Sequence, residues 1–255
     1  MNSLAKILRE KKAAGQRLAT LTAYDYVFGR LLDEAGLDFI LVGDSLGMVQ
    51  LGLPDTTGVT MADMLHHVRA VARGVKKTPL VADLPADAGS SAGEVVASAR
   101  ALLEAGAQAV KLEGGTERAE VIHAITSAGI PLIGHLGMLP QRVVIEGGYR
   151  VKGRVPEEAE AMVQSAAMLE ECGAVAVVLE LVAPDVAAQL SGSFAVPFIG
   201  IGSGPDCDGE ILVTHDLVGL MPWFRPAFVR PEADLANSFL VAVQAYVKRT
   251  RGTGV

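Results

Sequence analysis

The sequence predicts an α/β protein, a (β/α)8 TIM barrel with an N-terminal capping helix and an extra C-terminal helix. Three observations predict it. Short apolar runs alternate with helical patterns along most of the chain, as in a parallel sheet joined by right-handed crossovers. Eight such runs fit in 255 residues, the usual length of a closed barrel. Four runs stop at a carboxylate: FILVG before Asp44, PLVA before Asp83, AVKL before Glu113 and VAVVL before Glu180. A parallel sheet puts its strand ends on one side, so these four acids point to one shared site.

The elements follow in order. Ser3–Ala13 reads as a short helix capping the barrel bottom. Ala19–Thr22 is the first strand, and Tyr24–Ala35 the first outer helix, stopped by Gly36 at a natural C′ position. Phe39–Val42 follows as a strand, then Met61–Val75 as a helix with Thr60 as N-cap. Pro79–Ala82 and Ala109–Leu112 are strands flanking a helix over Gly93–Ala105. A helix over Thr116–Ala128 precedes the strand Ile130–Ile133. Pro156–Cys172 starts on a proline and stops at Gly173, both favourable helix signals. Val175–Leu179, the helix Pro184–Leu190, and the strands Pro197–Ile201 and Ile211–Val213 complete the eight-fold pattern. Ala233–Lys248 reads as a helix outside it. An open doubly wound sheet is the competing arrangement. It usually carries a GxGxxG turn after its first strand, and LTAYDYVFG has none. With no linker or low-complexity stretch, residues 1–255 are expected to form a single barrel domain.

Composition excludes several classes. Net charge is −7, and no basic run exceeds Lys76-Lys77, so there is no nucleic-acid footprint. Cys172 and Cys207 make no CxxC or zinc pattern and suit a reducing compartment, so the expected location is cytoplasmic. MNSLAKILREKK lacks the apolar core of a signal peptide. No apolar stretch approaches the roughly 20 residues of a membrane span.

In such a barrel, residues just past the strand ends line the active site. They are Thr22, Tyr24, Asp25, Asp44, Ser45, Asp83, Lys111, Glu113, His135, Glu180 and the GIGSGP glycines. Carboxylates crowded in a low-dielectric cup raise one another's pKa unless a cation sits among them. A hard divalent ion held by oxygen, Mg²⁺ first, resolves the crowding. Lys111 and Glu113 are two apart on one strand, so both side chains face the same way, and with Leu112 turned outward both could point into the barrel. A lysine beside the acids suits an anionic substrate. A metal chelating a carboxylate and an adjacent keto oxygen acidifies the neighbouring C–H. Glu180 is then placed as general base. The residues alone thus imply metal-assisted enolisation of a 2-oxo acid.

Blander roles compete. A carboxylate after a strand more often caps the next helix than binds a metal, and Asp25 reads as such a cap. Asp44 precedes Ser45-Leu-Gly with no evident helix, and Asp83 precedes Leu-Pro, so both read as ligands. Lys111 could simply neutralise Glu113, and His135 could be a hydrogen-bonded core residue. GIGSGP could cradle a phosphate or form a tight turn.

These residues, in this order, resemble the ketopantoate hydroxymethyltransferase family. The matching segments are LTAYDY, VGDSLGMVQLG, VADLP, AVKLEGG, PLIGHLGMLPQ, GGYRVKGR, VLELV and IGIGSGPDCDGEILVTHDLVGL, with a VT…M…H…AV.RG pattern from Val59 to Gly74. The resemblance runs from about Leu21 to Arg230. It implies transfer of a hydroxymethyl group from 5,10-methylenetetrahydrofolate to 3-methyl-2-oxobutanoate, giving 2-dehydropantoate for pantothenate synthesis. It implies that Asp44 and Asp83 coordinate Mg²⁺, with Glu113 supporting it directly or through water. The substrate would lie over Asp44, Ser45, Asp83 and Lys111, with His135 in the pocket and Glu180 as proton acceptor. It also implies a homo-oligomer, a decamer in this family. The chain departs from the family pattern at Ala86-Asp87-Ala88-Gly89, where Phe-Gly-Ser-Tyr is usual, and in its VKRTRGTGV tail. Two other readings stay open: a Mg²⁺-dependent lyase or mutase of the phosphoenolpyruvate–pyruvate barrel type, and a non-catalytic paralogue.

Overall fold

The structure is a computed structural model that describes residues 3–252. Met1, Asn2 and the last three residues of the VKRTRGTGV tail lie outside the described residues. The chain divides into two compact units, Met1–Ile211 and Leu212–Val255.

Eight parallel strands close into a barrel in chain order. They are β1 (Leu18–Thr22), β2 (Phe39–Val42), β3 (Leu80–Asp83), β4 (Ala109–Glu113), β5 (Leu132–Gly137), β6 (Ala176–Glu180), β7 (Phe198–Ile201) and β8 (Gly209–Leu212). The seam between β8 and β1 is held by Leu18 N–H donating to the Asp208 carbonyl at 2.9 Å and by Thr20 Oγ1 donating to the Glu210 carbonyl at 3.0 Å.

The helices are α1 (Ser3–Ala13), α2 (Tyr26–Glu34), α3 (Leu46–Val49), α4 (Met61–Gly74), α5 (Ala92–Glu104), α6 (Ala119–Ser127), α7 (Pro156–Glu171), α8 (Pro184–Ser193), α9 (Thr214–Leu217) and α10 (Leu235–Arg251). Their starts are written locally. Asp25 accepts the Phe28 N–H and caps α2, as its position suggested. Thr60 with Asp63, and Ser91 with Glu94, form capping boxes on α4 and α5.

Strand alternation builds two apolar layers. Inward residues such as Phe39, Leu41, Val81, Ile133 and Ile199 fill the barrel together with Leu4 and Leu8 of α1. α1 therefore plugs the barrel bottom, as expected. Outward residues such as Ile40, Val110, Leu132, Val177 and Phe198 pack with the helices. The second unit carries α9 and α10. Asp234 caps α10 by accepting the Asn237 N–H. No helix among the described residues is long and apolar enough to cross a membrane.

Many boundaries shift by one to four residues from the sequence reading, and three of the differences have a local cause. β5 spans Leu132–Gly137 rather than Ile130–Ile133, because Gly134 and His135 interrupt the apolar run while their backbone stays in the ladder. β8 lies at Gly209–Leu212, not Ile211–Val213, since its pairing starts on a glycine. The helix expected from Thr116 opens with a 3₁₀ turn, Thr116–Arg118, before α6.

Candidate active site

The period of two in each strand delivers the site. In β4, Val110 and Leu112 pack outward, so Lys111 and Glu113 share the inward face with Ala109. The register then sets neighbours level, Asp83 with Lys111 and Glu113 with His135. Lys111 Nζ lies 2.7 Å from Asp83 Oδ1 and 3.2 Å from His135 Nδ1. Its close partner is thus Asp83, not the Glu113 that sequence spacing suggested. The physical reason is that register, not spacing within one strand, sets which carboxylate it meets. His135 Nδ1 is 3.6 Å from Glu113 Oε1, and its Nε2 is 3.5 Å from Glu180 Oε2. A lysine ammonium only donates, so His135 Nδ1 accepts and the ring proton sits on Nε2, facing Glu180.

Asp44 enters just beyond β2, after Gly43. A Cβ on Gly43 would stand 3.0 Å from Ser45 Oγ and 3.4 Å from Asp83 Oδ2, so the glycine keeps this corner open. Asp44 N–H donates to Asp83 Oδ2 at 3.0 Å, which sets the two residues side by side. Ser45 Oγ is 2.7 Å from the buried Tyr24 Oη. The helix α3 begins directly after Ser45, where the sequence showed no helix. Four residues are too few to display a helical period. Ser45 makes no side-chain cap on α3, so its hydroxyl remains with Tyr24 in the site.

Glu180 ends β6 on a constrained turn. Leu181 has φ of 47°, a left-handed conformation rare for a non-glycine residue. Neighbouring backbone holds it: Met138 N–H donates to the Glu180 carbonyl at 2.8 Å, Leu181 N–H to Ile201 at 2.9 Å, and Lys152 N–H to Leu181 at 2.7 Å. Ser203 of GIGSGP adds to this clamp, donating to the Leu179 carbonyl and accepting the Val182 N–H. That motif therefore appears as a turn bracing the Glu180 strand end. The Glu180 side chain is 15 % exposed against 4 % for Glu113 and 3 % for Asp83, so Glu180 is the acid most open to an incoming molecule.

The electrostatics follow from burial. Asp44 is pushed up to about 7 by burial and then by the Asp83 charge, with Lys111 and Gln141 opposing. Asp83 is raised by burial, which the Lys111 charge only partly offsets. Glu113 rises well above the usual carboxylate range through burial and then Asp44. Glu180 is pushed up to about 8 by burial, with Asp44 and Asp83 adding to it and Lys111 opposing. Burial works against the Lys111 ammonium, but Asp83, Glu113 and Asp44 outweigh it and hold the proton firmly. His135 is held neutral by burial and then by Lys111. One cation thus faces four acids in a dry cup, an arrangement short of positive charge.

The donor set suits a hard oxygen-seeking cation. Glu113 Oε1 is buried and has no hydrogen-bond partner. Among the described residues, no three His, Cys, Asp or Glu side chains are grouped so as to hold a metal by themselves. Mg²⁺ does not require three, since it keeps several waters and takes one or two carboxylates plus substrate oxygens.

All seven residues singled out from sequence, Asp44, Ser45, Asp83, Lys111, Glu113, His135 and Glu180, meet here, while Asp25 does not join them. Gln141, with no assigned role, does join, and Tyr149 feels the charge of the acids. Gln141, seen in sequence only as the last letter of PLIGHLGMLPQ, bonds Asp44 and Glu113. Tyr149, half-exposed, has its hydroxyl pKa raised by burial and then by Glu180, Asp44 and Glu113. Neither carries a local sequence signal, because both lie in the long β5–α7 connection, outside any strand-end pattern.

A closed parallel barrel with acids, a lysine and a neutral histidine gathered at its strand C-termini defines a TIM-barrel enzyme. Comparison with known proteins gives the particular kind. The chain belongs to the ketopantoate hydroxymethyltransferase family, which it matches over residues 3–253. It is 46% identical over 246 residues to 3-methyl-2-oxobutanoate hydroxymethyltransferase of Thermoanaerobacter sp. (strain X514), covering 96% of this chain and 90% of that protein. The protein of the same name from Ignicoccus hospitalis is 47% identical over 245 residues, covering 96% and 93%. That of Thermus thermophilus is 47% identical over 242 residues, covering 94% and 93%. Among solved structures, phosphonopyruvate hydrolase with oxalate and Mg²⁺ shares the fold, with TM-score 0.65 at 18% identity over 99% of this chain and 88% of that one. So does 2,3-dimethylmalate lyase, with TM-score 0.62 at 16% identity over 98% and 86%.

Proposed function

We propose that this chain transfers a hydroxymethyl group from 5,10-methylenetetrahydrofolate to 3-methyl-2-oxobutanoate, forming 2-dehydropantoate, with Mg²⁺ at Asp44 and Asp83 and Glu180 as base. Membership of the family carries the transferase activity. The observation that supports the mechanism is that Asp83 accepts the Asp44 N–H and pairs with Lys111, while Glu180 is more exposed than Asp83. Asp44 and Asp83 would hold the ion, with Glu113 supporting it directly or through water. When bound, the divalent ion supplies Lewis acidity to the 2-oxo group.

The protein's own groups do the rest. Lys111 attracts the anionic substrate and favours the charged form of Asp83, against burial. Glu180, with its pKa near 8, accepts the C3 proton in its ionised form. His135 Nε2 lies 3.5 Å from Glu180 Oε2, without a hydrogen bond between them. Ser45, held by Tyr24, offers a hydroxyl beside the substrate carboxylate. The reading further includes a cytoplasmic location, which the two free cysteines suit, and a homo-oligomer, which the family resemblance implies.

The test is product formation. The protein is incubated with Mg²⁺, 3-methyl-2-oxobutanoate and 5,10-methylenetetrahydrofolate, and 2-dehydropantoate is followed by NMR. Product that needs both the divalent ion and the folate supports the proposal. Product formed equally well after chelation would remove Mg²⁺ from it, and no product with any one-carbon donor would remove the transferase.

A further inference from the structure

We infer that Gln141 is a positioning residue that presets the carboxylates for the divalent ion. This rests on the reading of Asp44 and Glu113 as metal carboxylates. Gln141 lies in a 3₁₀ turn, Pro140–Arg142, just past β5. Its side-chain Nε2 donates to Asp44 Oδ2 at 2.8 Å and to the Leu84 carbonyl at 3.0 Å. Its backbone N–H donates to Glu113 Oε2 at 3.1 Å. Both side-chain partners are acceptors, so the amide must present nitrogen rather than oxygen. Its two N–H groups are then both used.

One residue therefore grips the ends of β2, β3 and β4. It claims one oxygen of Asp44 and one of Glu113. The other Glu113 oxygen is buried without a hydrogen-bond partner, 3.6 Å from His135 Nδ1. Two acids that repel each other are thus held apart by neutral donors rather than by their own charges. The loop that carries Gln141 is itself pinned to the base. Gly137 has φ of 95°, and a Cβ there would stand 2.3 Å from the Glu180 carbonyl oxygen. Only glycine allows that approach, after which Met138 N–H bonds the same carbonyl. Four residues of chain thus connect the Glu180 strand end to Asp44. Partners of metal ligands outside the coordination sphere typically change metal affinity by about 10–100-fold when removed.

The experiment titrates Mg²⁺ into the full chain, stripped of divalent ions, by calorimetry, with Mn²⁺ binding by electron paramagnetic resonance as a second readout. Gln141→Ala and Gln141→Leu are compared with the parent protein; Leu preserves bulk, and both keep the backbone contact to Glu113. The expected result is at least about tenfold weaker binding of both ions in both variants, with melting temperature and circular dichroism unchanged without metal. Gln141→Glu replaces the donors with a charge facing Asp44 and is also expected to lose the preset geometry, seen as a changed Mn²⁺ spectrum. Binding within twofold of the parent in the folded Leu variant would overturn the inference. A parent protein that binds neither ion would overturn the metal reading together with it. A Leu variant that binds weakly only because it is unfolded would also overturn it, by making Gln141 a stability residue.

Discussion

The sharpest prediction concerns Glu180 and the pH at which it works. Burial and the neighbouring acids place its pKa near 8. A base must be ionised, so C3 proton exchange should rise with pH. Roughly one-tenth of a group with that pKa is ionised at pH 7, and about nine-tenths at pH 9. Without a divalent ion, exchange of 3-methyl-2-oxobutanoate in deuterium oxide should therefore climb about tenfold across that range and then level off. A divalent ion near Asp44 and Asp83 cancels the charges that help hold the proton on Glu180. Saturating Mg²⁺ should therefore move the midpoint to lower pH and raise the rate at pH 7. Glu180→Gln keeps the shape and removes the base. The loss expected for a general base is about 10²–10⁴-fold, or about 3–5 kcal/mol of barrier. The assay is the decay of the C3 proton signal by NMR without folate, with substrate binding measured separately by calorimetry. A Glu180→Gln protein that exchanges at the parent rate, or a parent rate flat from pH 6 to 9, would refute the assignment.

Other consequences follow from the same cup. Asp44 and Glu180 have folded pKa values near 7 and 8, above the usual carboxylate values. The native state then holds protons that the unfolded chain releases, so stability present at pH 4 is lost as pH rises toward 8. The metal-free melting temperature should fall from pH 5.5 to 8.5, and Mg²⁺ should raise it more at pH 8.5; calorimetry at both pH values decides this. Lys111→Met leaves Asp83 without its cation. Breaking a buried pair this way typically costs about 3–5 kcal/mol, and the cost should shrink at low pH as Asp83 takes up a proton; denaturant unfolding at pH 5 and 8 would show equal losses if Lys111 were not the counter-ion. Far from the site, Asp33 accepts the N–H groups of Lys76, Lys77 and Thr78 at 2.7–2.9 Å. These bonds outweigh burial and lower its pKa to about 2. Asp33→Asn should cost roughly 1–2 kcal/mol at pH 7, discounted for nearby solvent. The parent should lose this contribution only as pH falls from about 4 to 2, so a variant as stable as the parent at pH 7 would contradict its role as acceptor for residues 76–78.

Much of this protein is written locally. Alternation of apolar runs and helical patterns, with Gly36, Gly106, Gly129 and Gly173 after the helices, specifies the strand–helix order, because those signals depend only on neighbouring residues. The placement of Asp44, Asp83, Glu113 and Glu180 at strand ends also follows from sequence, since parallel strands share one carboxyl edge. The family follows from motif order. Other features arise only in three dimensions. Lys111 meets Asp83 because the β3–β4 register puts them level, and no spacing within one strand encodes that. β5 runs on through Gly134 and His135 because the ladder, not apolarity, holds it. Gln141 reaches Asp44 across 97 residues of sequence, and Asp33 turns a helix position into an acceptor for a distant loop. The tautomer of His135 and the pKa of Glu180 come from what surrounds them once water is excluded. Desolvation and register are properties of the assembled barrel, and a linear pattern carries neither.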